Sequence, residues 1–460
     1  MLNRRITAAL VTASLALTLC GVTALAVSQE GGDASAAPDN SAVQTQGETP
    51  AQTAAPAGDS SAQPGETASA PQPAENAAGE QPQEPEEVYT PDAVGTLSFA
   101  NVGRRVRESN LTALSLNESI QTLKSKDFDQ MKDDLKDQIN NVARMQYGYL
   151  VGMPGIGRVM SSSLQGSYNS LKDTFDDLKD GKIQEDVDAA IRQLENAQDQ
   201  LVMGAESTYI ALVSGEQSLT TLERGLTTLE RNIKEVSLRY DLGQVSALTL
   251  EQLKGQKTSL LSSRQSVVTS IENGKSSLEL LVGADITGKV KLQPLPQVSD
   301  KELAAMNLEH DLAAAKEASY SLFAAQRTLN DAKDDYHDTA KSHDYNADHY
   351  EVIGAKHSLE AAKYTYNATV QSFESSFRIL FNKVKDDKQV LEAAKTALSV
   401  QKDTYASMEL KYKQGTLSEN KLADAKDEVT AAQEAITTAQ TNLFSDYNTY
   451  RWAVDHGILN

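Results

Sequence analysis

Cysteine is nearly absent from this chain of 460 residues: Cys20 stands alone, so no intrachain disulfide can form. Proline is missing from most of it. Nine of the twelve prolines lie between Pro38 and Pro91, and only Pro154, Pro294 and Pro296 follow. A stretch of some 370 residues so poor in proline and built from Ala, Leu, Lys, Glu, Gln and Asp reads as long helices rather than sheet. Aromatic residues make up 5% with a single Trp, too few for a thick globular core. Positive charge is scarce as well. Lys and Arg number 43 against 64 Asp and Glu, a net charge of −21, which argues against a protein that tracks nucleic-acid phosphates. No Walker pattern, His-Glu-x-x-His, cysteine pair or nucleophile elbow occurs, so no such motif supports an enzyme, a cofactor or a catalytic metal.

What is present begins with an export signal. Arg4-Arg5 precedes the uncharged apolar run Ile6 to Val27, and Ala24-Leu25-Ala26 supplies a small-x-small cleavage site, so residues 1–26 read as a signal peptide. The run is also about 20 residues long, enough to cross a bilayer, and an uncleaved anchor making membrane contact is the alternative. Lipidation at Cys20 is a third, though Leu19 stands where a small residue is expected. Either way the chain works outside the cytoplasm. Residues 27–92 are an Ala/Pro/Gln/Glu-rich linker with almost no large apolar residue, expected to be disordered, with a mean span on the order of 45 Å. Its dozen acids and the two signal arginines leave −11 for the chain from Arg104 onward.

The remainder is duplicated. Leu238-Arg239-Tyr240-Asp241-Leu242-Gly243-Gln244-Val245-Ser246 returns 172 residues later as Leu410-Lys411-Tyr412-Lys413-Gln414-Gly415-Thr416-Leu417-Ser418. Before the first glycine, Leu219, Leu222, Leu226, Leu229, Ile233, Val236 and Tyr240 step by three and four, which is a heptad seam. The same offset yields Leu391, Ala394, Leu398, Gln401, Tyr405, Met408 and Tyr412. Beyond the glycines, Leu260, Val267, Ile271, Leu278 and Leu281 correspond to Ala432, Ala439, Leu443, Tyr450 and Ala453. Each unit is therefore helix, tight turn, helix. Gly243 and Gly415 suit the left-handed residue that ends a helix, and Ser246 and Ser418 suit the cap of the next. The expected fold is all-α: long antiparallel coiled-coil hairpins, internally duplicated and extended rather than globular, with units at 93–290 and 291–460. One narrow apolar stripe per helix asks for partners, within the chain or from other subunits.

Tyr-x-x-Gly with Ser three positions on, repeated at a long offset inside heptad helices behind an export signal, resembles the TolC-type outer-membrane efflux family over roughly residues 100–460. Leu114 to Ile120 and Leu308 to Leu312 resemble the starts of its two units. The resemblance implies a passive conduit: three protomers close a helical tunnel in the cell envelope, and adaptor proteins of an export pump dock at the glycine turns. The docking turns would be Gly243, Gln244, Val245, Ser246 and Gly415, Thr416, Leu417, Ser418. The family's acidic tunnel mouth would fall at Lys421 and Asp424, where only one carboxylate survives. The family also interrupts each unit with membrane-spanning strands. Here the corresponding run Lys341 to Tyr350 is too short and polar for two strands, and Gln146 to Met160 offers one at most, so a barrel is expected to be missing.

Two stretches keep their own readings. His337, His343, His349 and His357 sit among aspartates and suit a metal or, more simply, a solvated polar loop. The Gly-rich apolar stretch around Tyr147, Tyr149, Leu150, Val151 and Ile156 suits a buried or oligomer-contacting loop, a membrane-touching tip or a barrel remnant. The membrane-touching reading leads to an alternative function, a secreted helical pore-former or surface-binding protein; a structural envelope spacer is another.

Overall fold

The computed structural model describes residues 91–153 and 155–459. The export signal, Cys20 and all of the linker before Pro91 lie outside the described residues. Residues from Pro91 onward form one unit, and eleven helices carry it. Helices α1 (Phe99–Ser109) and α2 (Leu111–Lys124) lead into a hairpin of α3 (Phe128–Gly152) and α4 (Gly157–Lys179). The long α5 (Lys182–Asp241) turns into α6 (Ala247–Leu281). Short α7 (Asp300–Ala305) and α8 (Leu308–Ala318) precede α9 (Tyr320–Ser342), α10 (Tyr350–Lys413) and α11 (Glu419–His456). At 1.5 Å per residue the 64 residues of α10 span about 96 Å. Two dipeptide strands, β1 (Thr96–Leu97) and β2 (Lys291–Leu292), pair in parallel and are the strands among the described residues.

Side-chain caps start most of these helices. Asn110 accepts from the amides of Thr112 and Ala113, while its Nδ2 donates to the Leu281 carbonyl at 3.0 Å, so one residue starts α2 and ties down the end of α6. Ser299 and Glu302 form a reciprocal capping box on α7. Helix ends close on left-handed glycines. At Gly243, with φ of 70°, the Gly243 and Gln244 amides donate to the carbonyls of Tyr240 and Arg239; at Gly415, φ 71°, Gly415 and Thr416 donate to Tyr412 and Lys411. This is the same Schellman closure, with its two bonds in the same register at both turns.

Apolar seams hold each hairpin. One cluster packs α5 against α6, α1 and the strands through residues such as Val202, Tyr209, Ile271 and Leu278, and takes Trp452 from α11 and Ile458 from just beyond it. Tyr209 is fully buried and its hydroxyl lies 2.6 Å from the Gln293 carbonyl and 3.0 Å from that of Leu97, joining both strands to α5. Burial pushes its pKa up to about 12. A second cluster packs α10 against α11 and α8 through Phe373, Phe377, Phe381, Val384, Leu391, Leu398, Leu443 and Tyr450. The heptad residues expected from the sequence line these seams, yet toward the turns most are only half-buried, Tyr240 and Tyr412 being exposed.

Toward the turns the contact between the hairpins is polar. Arg224 pairs with Glu434 at 3.0 Å, and Arg231 with Asp424 at 2.8 Å and Asp427 at 2.7 Å, laddering α5 to the antiparallel α11. The α10–α11 seam holds an acid pair, Asp387 facing Asp446. Burial, and then the nearby Asp446 carboxylate, raise Asp387 from 3.8 to about 7, and its Oδ2 is buried without a hydrogen-bond partner. The stability a protonated Asp387 confers is complete below 3.8 and is lost as the pH rises through about 7. Asp387→Asn is therefore expected to remove that slope and to raise unfolding free energy at pH 8 by about 1 kcal/mol after solvent screening. Urea titrations at pH 5 and 8 measure it, and an unchanged slope refutes the raised pKa of Asp387.

Candidate functional site

The two glycine turns lie at one end of the unit. Helices α6, α5, α11 and α10 pack side by side in that order, each antiparallel to its neighbour. Asn420, just past the second turn, donates to Glu235, just before the first, at 2.6 Å. The sequence motif thus folds into a paired tip. Gly243, Gln244 and Ser246 are exposed and Val245 half-buried; Gly415, Thr416 and Ser418 are exposed and Leu417 half-buried. Ser246 accepts from the Thr249 amide at 3.2 Å and Ser418 from that of Lys421 at 3.4 Å, so each serine starts the returning helix. Exposed Leu238, Leu242, Leu248 and Leu410 surround the turns, leaving an apolar collar around polar tips. A groove of about 630 Å³ runs between α5 and α6 below the first turn, floored by Ile233 and Leu238 and edged by the Glu230–Lys257 pair at 2.8 Å.

Lys421 and Asp424 are neighbours, 3.4 Å apart, but Asp424 also takes Arg231. Asp427, absent from the sequence reading, takes Arg231 and the Thr228 hydroxyl at 2.7 Å each. Burial pushes the Asp427 carboxyl up, but those hydrogen bonds and the Arg231 charge outweigh it and hold the pKa low. Arg231, Lys421, Asp424 and Asp427 sum to zero charge, so this end carries no unpaired acidic ring from these residues. A signal for the ladder was present in the sequence: Arg224 and Arg231 are one heptad apart, as are Asp427 and Glu434, in reverse order along an antiparallel partner.

The turn from α9 to α10 gathers His343, His349 and Glu351. Their donor atoms lie within 4.8 Å of one another, and among the described residues they form the group suited to a metal ion. The two imidazoles stack at 3.7 Å, His343 Nε2 lies 2.5 Å from Glu351, and the Tyr350 hydroxyl donates to Glu351 at 3.0 Å, so the carboxylate is already satisfied. Hydrogen bonds from His343 and Tyr350 lower its pKa. Asp344 and Tyr345 in this turn adopt φ of 50° and 58°, where β-carbon crowding disfavours side chains.

The described residues of Gln146 to Met160, a stretch read as loop, tip or barrel remnant, contain no strand: they are the end of α3, a short connection and the start of α4. Gly157 is required there, since a β-carbon would stand 2.0 Å from the Tyr149 carbonyl oxygen. Tyr147, Leu150, Val151 and Ile156 are exposed and Tyr149 half-buried.

No protein-family profile matches the sequence, and no curated protein does. Solved structures do. The chain is similar to the CmeC outer membrane channel of Campylobacter jejuni, at 15% identity over 64% of this chain and 69% of that one, with a TM-score of 0.45. It is similar to the outer membrane protein VceC of Vibrio cholerae at 10% identity, over 78% and 96%, with a TM-score of 0.44. For the MtrE outer membrane channel of Neisseria gonorrhoeae the values are 13%, 78%, 89% and 0.42. At these identities the likeness is one of fold.

Proposed function

We propose that the chain is one wall segment of a passive, TolC-like export duct in the cell envelope, outside the cytoplasmic membrane. Copies of it, three by the sequence resemblance, close the wall, and the paired glycine turns meet an adaptor of a membrane export pump, which supplies the energy. The observation that carries this reading is the four-helix layer itself. It has tips at one end and two different edges, α6 and α10, that no helix among the described residues covers near the turns. Apolar side chains stand exposed along both edges, Leu248 and Leu261 on α6, Val390, Val400 and Leu410 on α10. Unlike edges make a head-to-tail contact, and a head-to-tail contact whose rotation closes makes a ring.

Leu261 lies 18 residues beyond Gly243 and Val400 lies 15 before Gly415, so the two stand at similar heights on opposite edges. Paired as cysteines in a Cys20→Ser background, they are expected to oxidise into a ladder that ends at the closed oligomer, while either cysteine alone stops at a dimer. A chain that stays monomeric on the gel and in native mass measurement refutes the ring and leaves the structural spacer.

A further inference from the structure

The end of the α3–α4 hairpin has its polarity reversed. Gln146 turns into the space between the helices, donating to the Ser161 carbonyl at 3.4 Å and to Gln165 at 3.3 Å. Tyr147, Leu150, Val151, Ile156 and Val159 face outward, Tyr147 and Val159 at 70% exposure. Eight of the 27 exposed large apolar residues of the described unit fall in the 16 positions from Met145 to Met160. Taking Met145 as zero and 100° per residue, Leu150, Tyr147 and Val151 lie at about 140, 200 and 240° around α3. They form one exposed face of about 100°, with the exposed Met145 on the opposite side of the helix. None of the α3 residues is buried against the rest of the unit.

Charge is sorted along the same hairpin. No Asp or Glu occurs from Gln138 to Lys172 in a chain of −21, and Arg144 and Arg158 stand among the apolar side chains. The root of the hairpin carries nine aspartates between Asp127 and Asp180. A cationic, apolar end above an acidic root is complementary to an anionic lipid surface and repelled from it everywhere else. No helix among the described residues is long and apolar enough to cross a membrane. From Met145 to Gly152 the tip measures about 10 Å, which matches the headgroup and upper acyl region of one leaflet.

The geometry points to the α3–α4 tip as a lipid-binding anchor that dips into one leaflet of an anionic bilayer, with Arg144 and Arg158 reaching to phosphates and Tyr147 at the interface. The anchor does not depend on the duct reading, and each can fail without the other. The test uses the full chain with Cys20→Ser and a single environment-sensitive fluorophore at Val151→Cys or at Ser167→Cys, the latter exposed about 15 Å farther from the turn. With vesicles of equal phosphatidylcholine and phosphatidylglycerol, the Val151→Cys label is expected to brighten several-fold, shift to the blue and be quenched by shallow nitroxide lipids. The label at Ser167→Cys should not respond, and this contrast separates the tip from any binding by the N-terminal segment. Arg144→Gln should lower vesicle partition about fivefold. An unresponsive Val151→Cys label, equal responses at both positions, or a shift without vesicles that grows with protein concentration would each overturn the anchor, the last in favour of tip-to-tip contact.

Discussion

Glu279→Ala is expected to lower unfolding free energy by about 3 kcal/mol, although the residue is far from both tips along the sequence. Glu279 is a buried carboxylate near the end of α6. It accepts the amides of Thr287 at 2.5 Å, Gly288 at 2.6 Å, Lys289 at 3.1 Å and Val290 at 3.0 Å, and the Thr287 hydroxyl at 3.0 Å. One side chain thus folds the loop that delivers β2 to β1 and to Tyr209. Alanine leaves five donors to find water and unfastens the strand pair. Glutamine keeps one acceptor oxygen and turns an NH₂ toward donors, so Glu279→Gln should lose at least half as much. Burial pushes the carboxyl up, but the Gly288 and Thr287 hydrogen bonds outweigh it and hold the pKa below the ordinary 4.5. The stability is therefore present above 4.5 and lost as the pH falls through the lower folded value. Urea unfolding at neutral pH and below pH 4, with hydrogen exchange at Lys291 and Gln293, reads both effects. Unchanged protection of those two amides in Glu279→Ala would sink the argument.

Phe377→Ala should cost about 3–5 kcal/mol, because the ring is fully buried between α10 and α11 and its removal leaves a cavity that rigid helices cannot collapse. Its centroid lies 5.5 Å from that of Tyr450, and Phe373 and Phe381 flank it one turn away on either side. Phe377→Leu, keeping most of the volume, should cost far less. The consequence reaches the function as well: this cluster sets the register of α10 on α11, and with it the level at which the Gly415 turn meets the Gly243 turn. Alanine is expected to weaken the disulfide ladder between the α6 and α10 edges even where the chain remains folded. A loss of less than about 1 kcal/mol would mean that the cluster is not packed in solution.

The hairpins were legible because local rules dictate them. Heptads of apolar residues define a helix face, a glycine at the left-handed position ends the helix, and a serine starts the next; both turns follow these rules at an offset of 172 residues. That Lys341 to Tyr350 forms no strand was legible for the same reason, since it lacks the length and the apolar alternation for spanning strands. The Phe373, Phe377 and Phe381 row extends the second seam beyond the stretch compared with the first unit, so the strongest part of that core went unread.

By itself, then, the sequence determined the helices and their turns, which are set by contacts within a few residues of one another. Only the tertiary structure decided which helices lie side by side, because the matching heptad spacing of the charges is compatible with pairing but does not by itself bring Arg231 to Asp427 across nearly 200 residues. It likewise decided that Asp424 is neutralised, that Glu279 holds a loop eight to eleven residues ahead of it, and that Gln146 points inward at the α3–α4 tip while Val151 points out. Side-chain direction at a hairpin end depends on where the second helix comes to rest, and a periodicity of 3.6 residues carries no information about that.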